Sequence, residues 1–309
     1  MDGLVPYQQQ RIEQSIVDVL KILDSKESKR VYNLDIAYFA EWMKEKHLTY
    51  QSVTTSDIIA YRELLGQTFK KATSQRMFSV IRRLFKMLVS RGVRTDDPIT
   101  DVKGFKLANE STHIALSKKQ AENLLDSIDT SSPKGKRDYA LLSLLLRTGI
   151  RRSECAALNI GDLSTEEGYH IATIQHGKGD KRRIVKIPVD VFRSLERYIQ
   201  ASGRTITSLD NPLFIGFDRR PEYESQRISE KVIERVVREY GKNIGFLPPK
   251  RLTPHDLRTS FITLSREGGA TLEQRQFAAG HSDPRTTQRY DVRKLNLDHN
   301  AVDYIHLWE

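Results

Sequence analysis

The sequence predicts a mainly α-helical chain of two domains, with a small β-hairpin confined to the second. Three observations carry that expectation. Apolar residues recur at helical spacing through the first hundred positions. An aperiodic stretch, 104–114, follows Pro98 and separates those helices from the rest. Two partly β-branched segments, 169–175 and 183–187, flank a turn rich in glycine. A length of 309 residues suits two domains of ordinary size better than one core.

Taken in order, Ile12, Ile16, Val19, Leu20 and Leu23 form one helical stripe, and Tyr32, Ile36, Phe39, Ala40 and Met43 form a second. Thr54-Thr55-Ser56-Asp57 supplies capping oxygens for a third helix, and Met77, Ile81, Leu84, Phe85 and Leu88 mark a fourth. These helices make a domain over 1–103, with 104–114 as linker and 115–309 as the second domain. The second domain opens on a capping box, Ser117 with Gln120. A further helix over 136–148 ends at Gly149, a residue suited to a left-handed cap.

The formal charge of +10 favours a polyanionic partner. Basic residues gather at Lys70, Lys71, Arg76, Arg82, Arg83 and Lys86, around the fourth helix, and at Lys181, Arg182 and Arg183 by the hairpin tip. Each is either a DNA-phosphate contact or part of a solvated face. A single cysteine, Cys155, excludes an intramolecular disulfide and suits a reducing compartment; its apolar neighbours make it a small core residue. No apolar run nears the roughly 18 residues needed to span a bilayer, and no signal-peptide core is present. The expectation is a soluble, cytoplasmic protein.

The second domain carries five charged or polar motifs: Thr148-Gly149-Ile150-Arg151-Arg152-Ser153-Glu154, Gly177-Lys178-Gly179-Asp180-Lys181, Pro254-His255-Asp256-Leu257-Arg258, Gly280-His281-Ser282-Asp283 and Thr286-Thr287-Gln288-Arg289-Tyr290. Thr253 can cap a helix whose first residue is Pro254, which places His255 and Arg258 on one face of the first turn, where backbone amides also favour an anion. Arg151 follows Gly149 at the entrance to another helix, and Glu154, one turn on, can pair with a cation of the site. Arg152, one position on, faces elsewhere and is either structural or a contact to the DNA backbone. Gly280 ends a helix, and Tyr290 falls about two turns along a following one.

In content and order these motifs resemble the tyrosine site-specific recombinases, the family of phage integrases and of the Xer and Cre recombinases, most strongly over 115–300. The resemblance implies that the N-terminal helices are a SAM-like core-binding domain that closes on DNA opposite a catalytic domain. It implies a reaction needing neither metal nor cofactor nor ATP. Tyr290 attacks the scissile phosphorus, Arg151 and Arg258 clamp the phosphoryl oxygens, and His255 and His281 donate hydrogen bonds or move a proton. Lys178 protonates the leaving oxygen, with Lys181 as the alternative, and Glu154 supports the arginines. The implied partners are double-stranded DNA bearing recombination sites and three further copies of the chain, acting through a 3′-phosphotyrosyl bond and a Holliday junction. Leu295, Leu297, Val302, Ile305 and Leu307 lie in a terminal segment that docks either on a neighbouring protomer or on its own domain. Thr259 departs from the many relatives that carry histidine there, and residues 273–276 make the helix before Gly280 unusually polar. Two rivals stay open: a type IB topoisomerase-like or hairpin-forming strand transferase, and a DNA-binding regulator without catalysis.

Overall fold

A computed structural model describes residues 4–106, 114–175, 182–217, 226–280, 300–305 and 307. The chain divides into two compact units, Met1–Glu110 and Ser111–Glu309.

In the first unit, helices α1 (Leu4–Lys21), α2 (Lys26–Glu45) and α3 (Thr55–Thr68) each pack against α4 (Lys71–Ser90). The predicted stripe of α4 is buried, with Met77, Ile81, Leu84, Phe85 and Leu88 in the core. Phe39 anchors an aromatic cluster, 4.7 Å from Tyr61 and 5.9 Å from Phe85 between ring centroids. The third helix starts as its sequence dictates: the Thr54 hydroxyl accepts from the Asp57 amide, and the Asp57 carboxylate accepts from the Thr54 amide at 2.8 Å.

The second unit begins with α5 (Lys118–Asp126), entered through the Ser117–Gln120 capping box, and α6 (Pro133–Thr148), buried on nearly every side. Gly149 ends α6 at φ 63°, and a Cβ there would lie 2.4 Å from the Phe261 ring. Glycine is thus required both by backbone conformation and by close packing. After the short α7 (Arg152–Ala157) comes an antiparallel sheet of β1 (Leu163–Glu166), β2 (Tyr169–Ile174) and β3 (Arg183–Lys186), in that order, with Ser164 opposite Ile171 and Thr173 opposite Ile184. The strands flanking the predicted hairpin are present, and β1 adds an edge that the sequence reading does not contain. Helix α8 (Val189–Ala201) lies on α6, α9 (Glu230–Asn243) packs against α7, and α10 (Pro254–Glu267) crosses α6 and meets α11 (Leu272–Ala279). In α11 Glu273 is exposed, Gln274, Arg275 and Gln276 are half-buried, and Ala278 and Ala279 are buried.

A 3-10 turn, Ala301–Tyr304, packs on α10 and α11, and Val302, Ile305 and Leu307 are buried in the core of this same unit. For these three residues the structure shows packing on their own domain. Leu295 and Leu297 lie outside the described residues. Among the described residues no helix is long and apolar enough to cross a membrane.

Candidate active site

Three chain segments meet where α6 ends, where α10 begins and where α11 ends. Arg151 is the N-cap of α7, held extended at φ −73° and ψ 151° just after the Gly149 turn. Its backbone N–H donates to the Glu154 carboxylate at 2.8 Å, and its side chain donates to the other oxygen of that carboxylate, also at 2.8 Å. Its second terminal nitrogen donates to the Gly280 carbonyl at 2.8 Å. Arg258, buried on the first turn of α10, donates to the carbonyls of Gly149 and Ala279. The carbonyls of the two glycine caps, with that of Ala279, aim both guanidiniums, and the φ of 63° at each cap is what favours glycine there.

Helix α10 is entered as its sequence implies. Thr253 accepts from the Asp256 amide, Asp256 accepts from the Thr253 amide at 2.8 Å, and Pro254 occupies the first turn. His255 is exposed on that turn. With Ser153, Thr253, Arg151 and Arg258 it lines a cleft of about 400 Å³. Arg152 sits on one wall, tied by ion pairs to Glu230 and Glu234 of α9 at 2.9 and 2.8 Å. It thus lines the same cleft as Arg151, where the sequence reading turns it elsewhere.

Arg183 departs from expectation. It begins β3 as the sequence reading has it, but its side chain, read as a DNA-phosphate contact or part of a solvated face, is only 14% exposed. Both terminal nitrogens donate to Glu154 at 2.7 Å. Strand parity is the physical reason, since 183, 185 and 187 alternate inward, and Val185 and Ile187 are buried. Arg182, one position earlier, is exposed.

Glu154 is the electrostatic centre of the site, with a side chain only 2% exposed. Burial pushes its carboxyl upward, but the bonds and charge of Arg183, and then those of Arg151, outweigh burial and hold it at about 2. Burial, and next the Arg151 charge, pushes the Arg258 guanidinium down to about 10, so it stays a cation at neutral pH. Around Glu154 the three guanidiniums of Arg151, Arg183 and Arg258 leave two positive charges in excess, and Arg152 with Glu230 and Glu234 on the cleft wall offsets one of them. An anion bound in the cleft would be met by fixed donors.

Lys178, Lys181, His281 and Tyr290 lie outside the described residues. Cys155 is buried in the core, and burial pushes its thiol up. Among the described residues no cluster of three or more His, Cys, Asp or Glu side chains is placed to hold a metal ion. In the first unit Lys70, Lys71, Arg83 and Lys86 are exposed. Arg76 instead pairs with Asp35, and Arg82 donates to the Val102 carbonyl while lying over the Phe78 ring.

The cleft is lined by guanidiniums on a mainly helical fold with one small sheet, an arrangement suited to an anionic ligand. Residues 115–295 match the phage integrase family and residues 23–92 match the N-terminal SAM-like domain of phage integrases. The tyrosine recombinase XerD of Proteus mirabilis is 33% identical over 84% of this chain and 80% of its own length. Two solved structures share the fold. One is the XerH recombinase bound to palindromic difH substrate in a post-cleavage complex, at TM-score 0.68 and 20% identity, covering 83% of this chain and 73% of that one. The other is a lambda integrase tetramer bound to a Holliday junction, at TM-score 0.65 and 14% identity, covering 92% and 80%. The chain belongs to the phage integrase family of tyrosine recombinases and is a site-specific recombinase, an enzyme that breaks and rejoins DNA strands.

Proposed function

We propose that the chain recombines DNA by metal-free and ATP-free transesterification, with Tyr290 as nucleophile. Its phenolic oxygen attacks the scissile phosphorus in line, the 5′ oxygen leaves with a proton from Lys178, and a 3′-phosphotyrosyl bond forms. Arg151 and Arg258 neutralise the phosphoryl oxygens, each preorganised donor contributing on the order of 3 kcal/mol to the transition state. His255 and His281 donate hydrogen bonds to the same oxygens or shift the tyrosine proton. Glu154 holds the arginines, and Lys181 is the alternative acid to Lys178. Because the covalent bond stores the energy of the linkage it replaces, a second DNA end reverses the step.

The observation that carries this reading is the pair of buried-edge guanidiniums, Arg151 and Arg258, aimed by the carbonyls of Gly149, Ala279 and Gly280 into the cleft beside His255. Double-stranded DNA with specific sites is the partner, and four protomers act on two sites through a Holliday junction, the free chain being a monomer or weak oligomer in the cytoplasm. Lys70, Lys71, Arg83, Lys86, Lys181 and Arg182 position the duplex through phosphates, whereas Arg76, Arg82 and Arg183 are engaged within the protein. The domains follow as 1–103 for DNA binding, 104–114 as linker and 115–309 for catalysis.

Strand exchange between two copies of the target site tests the proposal. Recombinant products with exchanged flanks support it. Relaxation of a supercoil without exchange indicates the topoisomerase-like rival, and binding without any covalent adduct indicates the silent regulator.

A further inference from the structure

The hairpin strand β3 contributes a side chain that touches the site but not the cleft. Arg183 is absent from the cleft lining, where Arg151 and Arg258 are present. Both its terminal nitrogens lie on Glu154 at 2.7 Å, and Glu154 in turn holds the backbone and side chain of Arg151. Its Nε sits in the interior with no acceptor among the described residues. That nitrogen also packs on Gly280: a Cβ built there would lie 2.6 Å from it. Gly280 supplies the carbonyl that Arg151 binds and is the residue before His281.

We infer that Arg183 is a positioning residue for strand cleavage: from β3 it locks Glu154, and through Glu154 and Gly280 it fixes Arg151 against the segment that leads to His281. This role rests on Arg151 as a clamp of the scissile phosphate. The geometry distinguishes it from a phosphate contact, because Arg151 and Arg258 line the cleft whereas Arg183 lies behind it with both terminal nitrogens on the buried Glu154. It also distinguishes it from simple packing, because an apolar side chain of similar length would leave Glu154 with Arg151 alone and free to swing. A clamp displaced by about 1 Å loses roughly 100-fold in rate.

The test is a double-mutant cycle on the whole protein, with Arg183→Met, Glu154→Gln and the pair. The probe is a nicked duplex of the target site, recovered by sequencing genomic DNA trapped on the wild-type protein. Covalent adduct formation is followed in single turnover on fully bound complex, alongside DNA affinity at several salt concentrations. Arg183→Met should lose about 100-fold in adduct rate. Its affinity and salt slope should stay those of the wild type. The pair should be no slower than the worse single variant by more than about threefold, since both act through one path. Arg183→Lys keeps the charge but donates a single bond, so it should fall between the two, and it carries the test if the methionine variant does not fold. An unchanged adduct rate overturns the role, as do strictly multiplying losses. A salt slope reduced by about one, with weaker binding, makes Arg183 a phosphate contact instead. Wild-type protein that forms no adduct overturns the recombination chemistry itself, and this role with it; a wild-type adduct with unaffected variants overturns this role alone.

Discussion

Replacing Glu154 by glutamine keeps the shape of the side chain and removes the only carboxylate in contact with Arg151 and Arg183 among the described residues. Four donor contacts converge on it: the Arg151 backbone N–H and one Arg151 side-chain nitrogen, plus both terminal nitrogens of Arg183. A glutamine oxygen can accept from some of these, but its amide group must face guanidinium N–H donors. The structure gives the scale of the loss. Holding the carboxyl at about 2 rather than its ordinary 4.5 corresponds to roughly 3 kcal/mol of folded-state stabilisation. That agrees with the roughly 3–5 kcal/mol typical of breaking a buried ion pair from one side. In a unit of this size, 3 kcal/mol lowers the Tm by about 6–12 °C. The folded-state value is depressed, so the contribution is complete above pH 4.5 and disappears as pH falls toward 2. Thermal unfolding of both proteins from pH 7 to pH 2.5 is the assay. The wild type should lose its advantage progressively below pH 4.5, and the two curves should converge. A glutamine variant within about 1 kcal/mol of wild type at pH 7 would refute the view of Glu154 as the electrostatic centre.

Gly149→Ala should destabilise the second unit by about 2–4 kcal/mol, combining the cost of a left-handed residue with overpacking against Phe261, as read by denaturant unfolding. Arg152→Ala should cost under about 1 kcal/mol by the same measurement, because its pairs with Glu230 and Glu234 are partly exposed. Thr253→Ala removes the cap of α10 and should cost about 1 kcal/mol, detected as a lower chemical-denaturation midpoint. The Cys155 thiol should resist iodoacetamide in the folded protein and react fully once unfolded, a difference that mass spectrometry resolves.

Much of this site was legible because its parts are local. The Thr253-Pro254 start of α10 and the glycine ends of α6 and α11 follow from capping chemistry within a few residues, and Arg151, His255 and Arg258 sit on those caps. The contact between Glu154 and Arg151 spans a single helical turn and was equally readable. Arg183 was not. Its partner lies 29 positions away across a sheet, and a sequence of clustered cations invites a surface reading until strand parity with Val185 and Ile187 is applied. In the first unit, tertiary pairing made the same distinction: Arg76 found Asp35 at a separation of 41 residues, which no periodicity marks. Strand β1 escaped because four residues, only the first buried, carry too little alternation to register. Helix α8 did carry a signal, Val191, Phe192, Leu195, Tyr198 and Ile199 on one face, but no catalytic motif drew attention to it.

The decisive measurement is the identity of the residue esterified to DNA. Wild-type protein trapped on a nicked target duplex, digested and sequenced by mass spectrometry, should yield one peptide carrying a nucleotide remnant on Tyr290, and Tyr290→Phe should bind the duplex normally and yield none. An adduct on another residue, or one that survives the phenylalanine substitution undiminished, would contradict the proposed chemistry.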